Sequence, residues 1–261
     1  MAAVLDVARD DLDERAEQRF ACRLATNARE VMASQRLRYQ VFAEEMGAKL
    51  DSAYTGLDLD RYDPYCQHLL VCDTATHQVV ASTRILSEEG ARDAGGFYSG
   101  SEFEMQNILG LPGRIMEIGR TCVHPAYRSG AVIGLLWSGI ADFVLREKYE
   151  YLIGCASITM EDGGTNAAAV MNRLRERYLT EDALRVTPKQ ALPAIDVTGV
   201  PAKLPPLLKA YVSLGARAGG EACWDRDFNV ADVFMLLNVS DLAPRYARHF
   251  LKRPAPARAP H

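Results

Sequence analysis

The segment MEIGRTCVHPAYRSGAVIGLLW, residues 116–137, constrains the fold of this chain more than any other stretch. Apolar and β-branched residues in Met116–Val123 predict a buried strand, Pro125 ends it, and a long apolar run then predicts a helix. Ligands of α/β sheets bind where such a strand ends and the helix begins, because the first backbone N–H groups of the helix are free and carry partial positive charge. We therefore expect the functional site at this turn.

Three residues of the turn suit an anionic ligand. Arg128 supplies a cation, Ser129 opens the helix, and Gly130 lets a ligand approach the backbone. The spacing predicts a phosphate cradle, and it leaves an ordinary strand–helix turn open as the alternative.

The rest of the chain predicts a mixed sheet flanked by helices. Alternation over 19–25 predicts a strand, and Asn27 with Glu30 forms a capping box for a helix that runs to about Met46. HLLVCD and VVASTRIL flank a turn and predict an antiparallel hairpin. Later segments are predicted as strands (YLIGCASI, ADVFMLLNV), as helices (166–178, 244–250) and as a helix, glycine stop and strand (LPPLLKAYVSLGARAGG). This order predicts the α/β (α+β) class, with a sheet that is antiparallel at one end and contains a βα unit in its middle.

The length and charge of the chain limit its possible domain organisation and partners. The 261 residues suit one large domain at 19–251, preceded by an acidic extension at 1–18 and followed by a basic Pro/Ala-rich tail at 252–261 that we expect to be disordered. Net charge is −4, so no nucleic-acid partner is expected. The six cysteines form no C-x-x-C pair, which predicts reduced thiols, a cytoplasmic location and no metal site.

VHPAYRSGAVIGLL resembles the V-x-P-x-x-R-x-x-G-x-G/A signature of the GCN5-related N-acyltransferase (GNAT) superfamily. The resemblance implies the fold of that superfamily, and a loop that binds the pyrophosphate of coenzyme A or the phosphopantetheine arm of a carrier protein. The matching loop residues are Val123, Arg128, Ser129 and Gly130. Because Gly130 comes one residue early, the loop fits the single phosphate of a phosphopantetheine arm better.

A second resemblance is to acyl-homoserine-lactone synthases, which share four features in the same order. They carry an Arg and a Phe four apart on an early helix, a D-x-x-D pair, a strand arginine, and E-x-x-R on a central strand. The matching residues here are Arg38, Phe42, Asp60, Asp63, Arg84, Glu117 and Arg120.

The segment PPLLKAYVSLGARAGGEACWDRDFNVADVFMLLNVSDLAPRYARHF resembles the C-terminal half of the L-ornithine Nα-acyltransferases of ornithine-lipid synthesis, also labelled hemolysin-like, and the resemblance covers roughly residues 17–251. This implies transfer of a 3-hydroxyacyl chain from acyl carrier protein to the α-amine of L-ornithine, giving lyso-ornithine lipid. The donor is the acyl-phosphopantetheine thioester, and no cofactor is bound permanently. Two alternatives stay open: a synthase of acyl-homoserine lactones or other long-chain N-acyl amino acids, and a non-catalytic acyl- or carrier-binding protein.

Glu117 and Arg120 are the predicted catalytic residues. An amine attacks a thioester only as the free base, and a carboxylate that takes its proton contributes about 10²–10⁴-fold. Glu117 is the candidate base, with structural pairing to an arginine as the alternative. Residues three apart point to opposite faces of a regular strand, so Gly119 predicts a β-bulge near Ile118–Arg120.

The predicted substrate-binding residues are Arg38, Phe42, Asp60, Asp63 and Arg84. The arginines either bind the ornithine carboxylate together with Arg120 or order the acidic loop. The two aspartates either hold a substrate ammonium or cap their own turn, and Asp63 ranks first as the ammonium holder.

Two further features leave two interpretations each. Tyr211 lies where the superfamily often places a general acid, but the helix pattern around it is equally consistent with packing. Residues 245–261 carry five Lys/Arg and no acidic residue, which predicts either a solvated tail or weak peripheral contact with the anionic inner-membrane surface.

Overall fold

The protein, described by a computed structural model over residues 19–128 and 130–242, is built on a mixed sheet. The sheet has eight strands in the order β1-β2-β3-β5-β6-β10-β8, and β9 also pairs with β10. The strands are β1 Phe20–Leu24, β2 Gln67–Asp73, β3 Val79–Ser87, β5 Ile115–Val123, β6 Tyr151–Thr159, β8 Arg217–Ala218, β9 Cys223–Asp225 and β10 Val230–Asn238. Two short strands, β4 Phe103–Glu104 and β7 Thr187–Pro188, pair separately. Only the β5–β6 pairing is parallel among these strands, which confirms the predicted βα unit within an otherwise antiparallel sheet.

Seven α-helices are described. They are α1 Ala28–Tyr39, α2 Glu88–Asp93, α3 Ser99–Glu102, α4 Gln106–Leu109, α5 Gly130–Glu147, α6 Thr165–Arg177 and α7 Pro206–Leu214. A π-helical segment, Gln40–Glu45, continues α1, so the predicted helix to about Met46 is confirmed.

The helix ends follow the sequence signals closely. The Asn27 side chain accepts a hydrogen bond from Glu30 N, but the Glu30 carboxylate accepts from Thr26 N, one residue before the position that a capping box uses. Gly215 ends α7 at φ +113°, as the predicted glycine stop requires. The predicted helix at 244–250, the extension at 1–18 and the tail at 252–261 lie outside the described residues.

Helices cover both faces of the sheet. Leu152, Ala156 and Ile158 of β6 belong to the core cluster shared with α5, α6 and α7. The alternate side chains Ile153 and Cys155 pack on the opposite face with α2, α3 and α4. This period-two alternation explains why β6 is an apolar run without polar interruptions at its centre.

Two irregularities of β5 position the site. The β5–β6 ladder covers only Ile115–Glu117 on β5, although both strands run six residues further. Opposite β3, Arg84 pairs with Gly119 and Ser82 with Cys122, so β5 carries one extra residue between these pairs. The predicted bulge is confirmed, and Arg120 takes the unusual φ of +53° there.

Gly154 marks the point where the two strands separate. A Cβ on this glycine would lie 2.3 Å from the Ile118 carbonyl oxygen, so the close approach of β6 to β5 requires glycine. Beyond it the strands diverge, and the sheet opens.

Candidate active site

The gap between β5 and β6 opens into a cleft of about 790 Å³, which is within the usual size range of ligand sites. Its walls come from both faces of the sheet. Val41 and Phe42 of the π-helical segment contribute on one face, and Trp137 of α5 and Tyr211 of α7 contribute on the other. The cleft therefore passes through the sheet, and two molecules can reach each other from opposite sides.

The predicted phosphate cradle lies at one end of this cleft. Val123, Arg128 and Gly130 line it, and a Cβ on Gly130 would meet no atom within 4 Å. Arg128 forms a bidentate ion pair with Glu45, with both N–O distances 2.6 Å. Ser129 lies outside the described residues.

An ionic network underlies the predicted substrate-binding residues. It consists of Arg38, Arg84, Arg120, Asp58, Asp60 and Asp63, and we call it the paired network. Arg38, with 1% of its side chain exposed, donates from Nε to Asp58 at 2.7 Å and from Nη1 to Asp63 at 2.7 Å. Burial alone would lower the pKa of Arg38, but the two carboxylates raise it above its usual value.

Arg84 and Arg120 complete the network. Arg84 Nη1 donates to Asp60 at 2.6 Å and to Asp63 at 3.0 Å. Arg120 Nε lies 3.2 Å from Asp58 Oδ2, and Arg120 Nη2 lies 3.5 Å from Asp60 Oδ2. Burial opposes ionisation of Asp63, but the arginines outweigh it and hold the pKa of this carboxyl well below its usual range. The network thus orders the loop that carries the three aspartates.

The paired network differs from the sequence prediction in two respects. Asp58, which the sequence reading missed, is 1% exposed and is a central member. Its signal was available, since LDLDRYD carries three aspartates before a proline. In addition, Arg38, Asp60 and Asp63 do not line the cleft, whereas Arg84 and Arg120 do.

Phe42, the remaining predicted substrate-binding residue, lies in the cleft wall. Its ring packs edge-on against Phe228, with centroids 6.4 Å apart.

Glu117 is buried at the cleft and fully engaged. Its carboxylate accepts hydrogen bonds from Tyr98 N at 2.6 Å, Ser99 N at 2.7 Å and Ser99 Oγ at 2.5 Å. Burial raises the pKa of Glu117 despite these donors. The carboxylate therefore joins β5 to the start of α3, and no ion pair links Glu117 to Arg120 within the described part of the chain.

Tyr211 separates the cleft from a smaller apolar cavity. This cavity has a volume of about 250 Å³ and shares Ile118, Trp137 and Tyr211 with the cleft. The Tyr211 ring packs edge-on against Trp137 at 5.4 Å, and burial raises the pKa of its hydroxyl. Packing is therefore one function of Tyr211 in this fold.

A second acidic group was missed by sequence reasoning. Glu102, Asp225 and Asp232 place carboxylate oxygens within 4.8 Å of one another, and we call them the unpaired triad. The signal was Asp232, an acidic residue inside the apolar strand VADVFMLLN. Among the described residues this is the group of three close carboxylates that could hold a cation.

No arginine, lysine or histidine forms an ion pair with the unpaired triad within residues 19–128 and 130–242. Glu102 accepts a hydrogen bond from the Cys155 thiol at 3.4 Å, and Asp232 accepts one from Ser157 Oγ at 2.6 Å. Burial, followed by repulsion from Asp232 and Asp225, raises the pKa of Glu102 to about 9. Burial and Asp225 raise the pKa of Asp232 to about 6, against the hydrogen bond from Ser157 and the positive charge of Arg120.

Comparisons with known proteins agree with this geometry. Residues 37–138 match the family model described as an acetyltransferase (GNAT) domain, which confirms the fold expected from VHPAYRSGAVIGLL. The chain is 34% identical to the L-ornithine N(alpha)-acyltransferase of Rhodobacter capsulatus over 251 residues, covering 90% of this chain and 95% of that protein. A protein of the same name from Agrobacterium fabrum is 36% identical over 249 residues, with 87% and 84% covered.

A solved structure is also similar. It is that of an N-acyl amino acid synthase from uncultured soil microbes, with a TM-score of 0.49 at 12% identity, covering 85% of this chain and 92% of that one.

Proposed function

The chain belongs to the L-ornithine Nα-acyltransferase family, and we propose that it transfers a 3-hydroxyacyl chain from acyl carrier protein to the α-amine of L-ornithine. The observation that supports this most is the cleft through the sheet. A thioester entering from one face meets an amine entering from the other. The product of this reaction is lyso-ornithine lipid.

The reaction needs no bound cofactor beyond its acyl donor. The α-amine nitrogen bonds to the thioester carbonyl carbon, the carbon–sulfur bond breaks, and the phosphopantetheine thiol leaves with a proton. Because the β5–β6 ladder ends at Glu117, the backbone beyond it has no ladder partner on the β6 side. These groups are available to the amides and the thioester carbonyl of a phosphopantetheine arm. The adjoining apolar cavity suits the acyl tail.

We assign the proton transfer to Glu117, which either takes the proton of the attacking amine or positions that amine. The carboxylate lines the cleft, and its three hydrogen bonds fix its orientation. A pKa raised by burial brings this group closer to that of a base useful near neutral pH. Arg120, Arg84 and Phe42 line the same cleft as acceptor-binding residues. The buried Arg38 and Asp63 and the partly exposed Asp60 form ion pairs in the network that holds the two cleft arginines.

Glu117→Gln tests this assignment. It should lower turnover by about two or more orders of magnitude while thermal unfolding shows a folded protein. Ser99→Ala is the matched variant, since it removes one of the three hydrogen bonds and keeps the carboxylate. Near-normal turnover of a folded Gln variant, or equal losses in both variants, would rule out Glu117 as the base.

The function itself is tested with purified protein, one 3-hydroxyacyl-carrier donor and a panel of acceptors. Ornithine should be the best acceptor, lysine poorer, and glycine and serine much worse, since one methylene gives roughly 1–3 kcal/mol of discrimination. Fragmentation of the product should place the amide on the α-nitrogen. S-adenosylmethionine belongs in the panel, because its use would indicate a homoserine-lactone synthase instead. Thioester binding without consumption would indicate a non-catalytic protein.

We propose acyl carrier protein, not coenzyme A, as the donor carrier. Carrier proteins are acidic, so Arg128 at the cradle should attract them, and added salt should raise KM. Arg146 and Lys148 lie at the opposite end of α5, so any contact that they make with the carrier protein is away from the cradle. The matched control is the same acyl chain on free pantetheine, whose KM should be insensitive to salt. Equal kcat/KM for acyl-CoA and acyl-carrier donors would contradict this proposal.

We further propose that the enzyme is cytoplasmic and contacts the inner membrane peripherally through its basic tail. Each of the helices that the structure describes is too short or too polar to cross a bilayer. Deleting residues 252–261 removes three basic residues, each contributing about 1 kcal/mol near an anionic surface. The deletion should weaken binding to anionic vesicles, leave binding to neutral vesicles unchanged and spare turnover. Unchanged binding to anionic vesicles would contradict the proposal.

A further inference from the structure

The unpaired triad lies at the cleft. Asp225 and Asp232 line the cleft directly, and Glu102 is within 4.8 Å of both carboxylates. Glu102 and Asp232 are 9% and 3% exposed. Burying carboxylates without a cation is costly, and among the described residues the side chains that donate to them are neutral groups such as the Ser157 hydroxyl and the Cys155 thiol. A cationic ligand would offset that cost.

A second observation points to a ligand at the same place. Arg120 lines this cleft between two aromatic rings, 5.0 Å from the Tyr98 centroid and 4.8 Å from the Phe228 centroid. Its Nε lies 3.2 Å from Asp58 Oδ2 and its Nη2 lies 3.5 Å from Asp60 Oδ2, but neither Nε nor Asp60 Oδ2 makes a hydrogen bond. Asp58 and Asp60 therefore hold Arg120 by charge, and its guanidinium retains hydrogen-bonding capacity that an incoming carboxylate could use.

Tyr98 connects the two charged regions. It interacts with Arg120 on one side and with Glu102 on the other, so the cation and the triad flank a single aromatic side chain. A guanidinium and a group of carboxylates beside one side chain offer partners for both ends of a diamino acid, which carries a carboxylate at one end and an ammonium at the other.

We propose that Glu102, Asp225 and Asp232 hold the distal ammonium of a diamino-acid acceptor while Arg120 binds its α-carboxylate. This deepens the proposed function, on which it rests for the identity of the acceptor. The α-amine is then left beside the bulge of β5, where the thioester carbonyl is expected. The triad selects acceptors that carry a second, distal cation.

The paired network is less suited than the triad to binding the distal ammonium. Asp63 already accepts five hydrogen bonds, from Gln35, Arg38, Arg84 and Asp60 N. Both of its oxygens are used, and Asp63 does not line the cleft. The triad, by contrast, forms no ion pair among the described residues, and Asp225 and Asp232 line the cleft.

The test compares L-ornithine with L-norvaline, which has the same carbon chain but no distal amine. Binding is measured by calorimetry and turnover with one acyl-carrier donor. Asp232→Asn preserves shape and removes charge, and it should weaken ornithine binding and lower ornithine kcat/KM by about 10–100-fold, mainly through KM. Norvaline should change by less than about twofold. Glu102→Gln should act in the same direction.

Asp227→Asn is the matched control, since Asp227 is exposed on the same turn as Asp225. It should leave both acceptors unchanged. An ornithine-to-norvaline ratio that is the same in the wild type and Asp232→Asn would overturn the proposal. So would loss of both acceptors on treatment with a chelator, because the triad would then hold a metal ion.

Binding and turnover also separate this inference from the proposed function. Preference for ornithine in binding that disappears in Asp232→Asn supports the triad even if no amide forms. Amide formation with an unchanged preference overturns the triad and leaves the proposed function intact.

Discussion

Two groups of three carboxylates lie near the same cleft, and they differ in what surrounds them. The aspartates of the paired network face three arginines, with contacts as short as 2.6 Å. The unpaired triad forms no ion pair within the described residues, and Arg120 acts on Asp232 only at longer range. The first arrangement is balanced within the protein and orders a loop, whereas the second is balanced by a proton on Glu102 or by a bound cation. Charge balance, not acidity, therefore separates a structural carboxylate from a candidate binding one.

The largest expected effect comes from breaking the balance of the paired network. Arg38→Met removes a fully buried cation and leaves Asp58 and Asp63 with less compensation. The free energy of unfolding should fall by about 3–5 kcal/mol, measured by urea denaturation. Arg36→Met, on the exposed face of the same helix, should change it by less than about 0.5 kcal/mol. Equal effects of the two variants would show that the network adds nothing to stability.

A smaller effect, opposite in sign, is expected from the unpaired triad. Because the folded pKa of Glu102 is raised from 4.5 to about 9, its contribution to stability is complete below about pH 4.5 and is lost as pH rises towards 9. Glu102→Gln stays neutral, so the variant should exceed the wild type by about 2 kcal/mol at pH 9 and match it near pH 4.5.

Glu104→Gln is the control for this pH series, since Glu104 is exposed two residues away. It should follow the wild-type curve. Asp63 behaves in the opposite way, because its lowered pKa gives stability that is present above about 3.8 and is lost only as pH falls further. A wild-type stability that does not decline between pH 4.5 and 9 would contradict the high pKa of Glu102.

The same contrast explains what the sequence could predict. The central strand, its bulge at Gly119 and the helix after Gly130 follow from local patterns, and all three are confirmed. Five of the six residues of the paired network were also named from the sequence, and Asp58 was missed. Each Arg–Asp pairing, however, depends on how far the loop folds back over α1 and β3.

The unpaired triad could not be read from local patterns. Glu102 ends α3, Asp225 ends β9 and Asp232 lies in β10, so more than a hundred residues separate the first from the others. Only the antiparallel pairing of β9 with β10, and of β10 with β6, brings them together. The single local signal is a carboxylate inside an apolar strand, which indicates a buried charge without naming its partners.

The smallest expected change in the free energy of unfolding comes from a single carboxylate of the paired network. Asp60 is its most exposed carboxylate at 19%, and one of its two oxygens accepts no hydrogen bond. In Asp60→Asn, Arg84 keeps Asp63 and Arg120 keeps Asp58, so no guanidinium loses all of its partners. The free energy of unfolding should fall by only about 1–2 kcal/mol.

Asp51→Asn, exposed on the same loop, serves as the control and should be neutral within about 0.5 kcal/mol. Because Asp60 is partly in contact with solvent, 1 M salt should reduce the loss in Asp60→Asn, whereas the loss in Arg38→Met should persist. If Asp60→Asn costs as much as Arg38→Met, the network acts as a unit in which any missing charge collapses the loop. Its stability would then depend on complete neutralisation of its three aspartates.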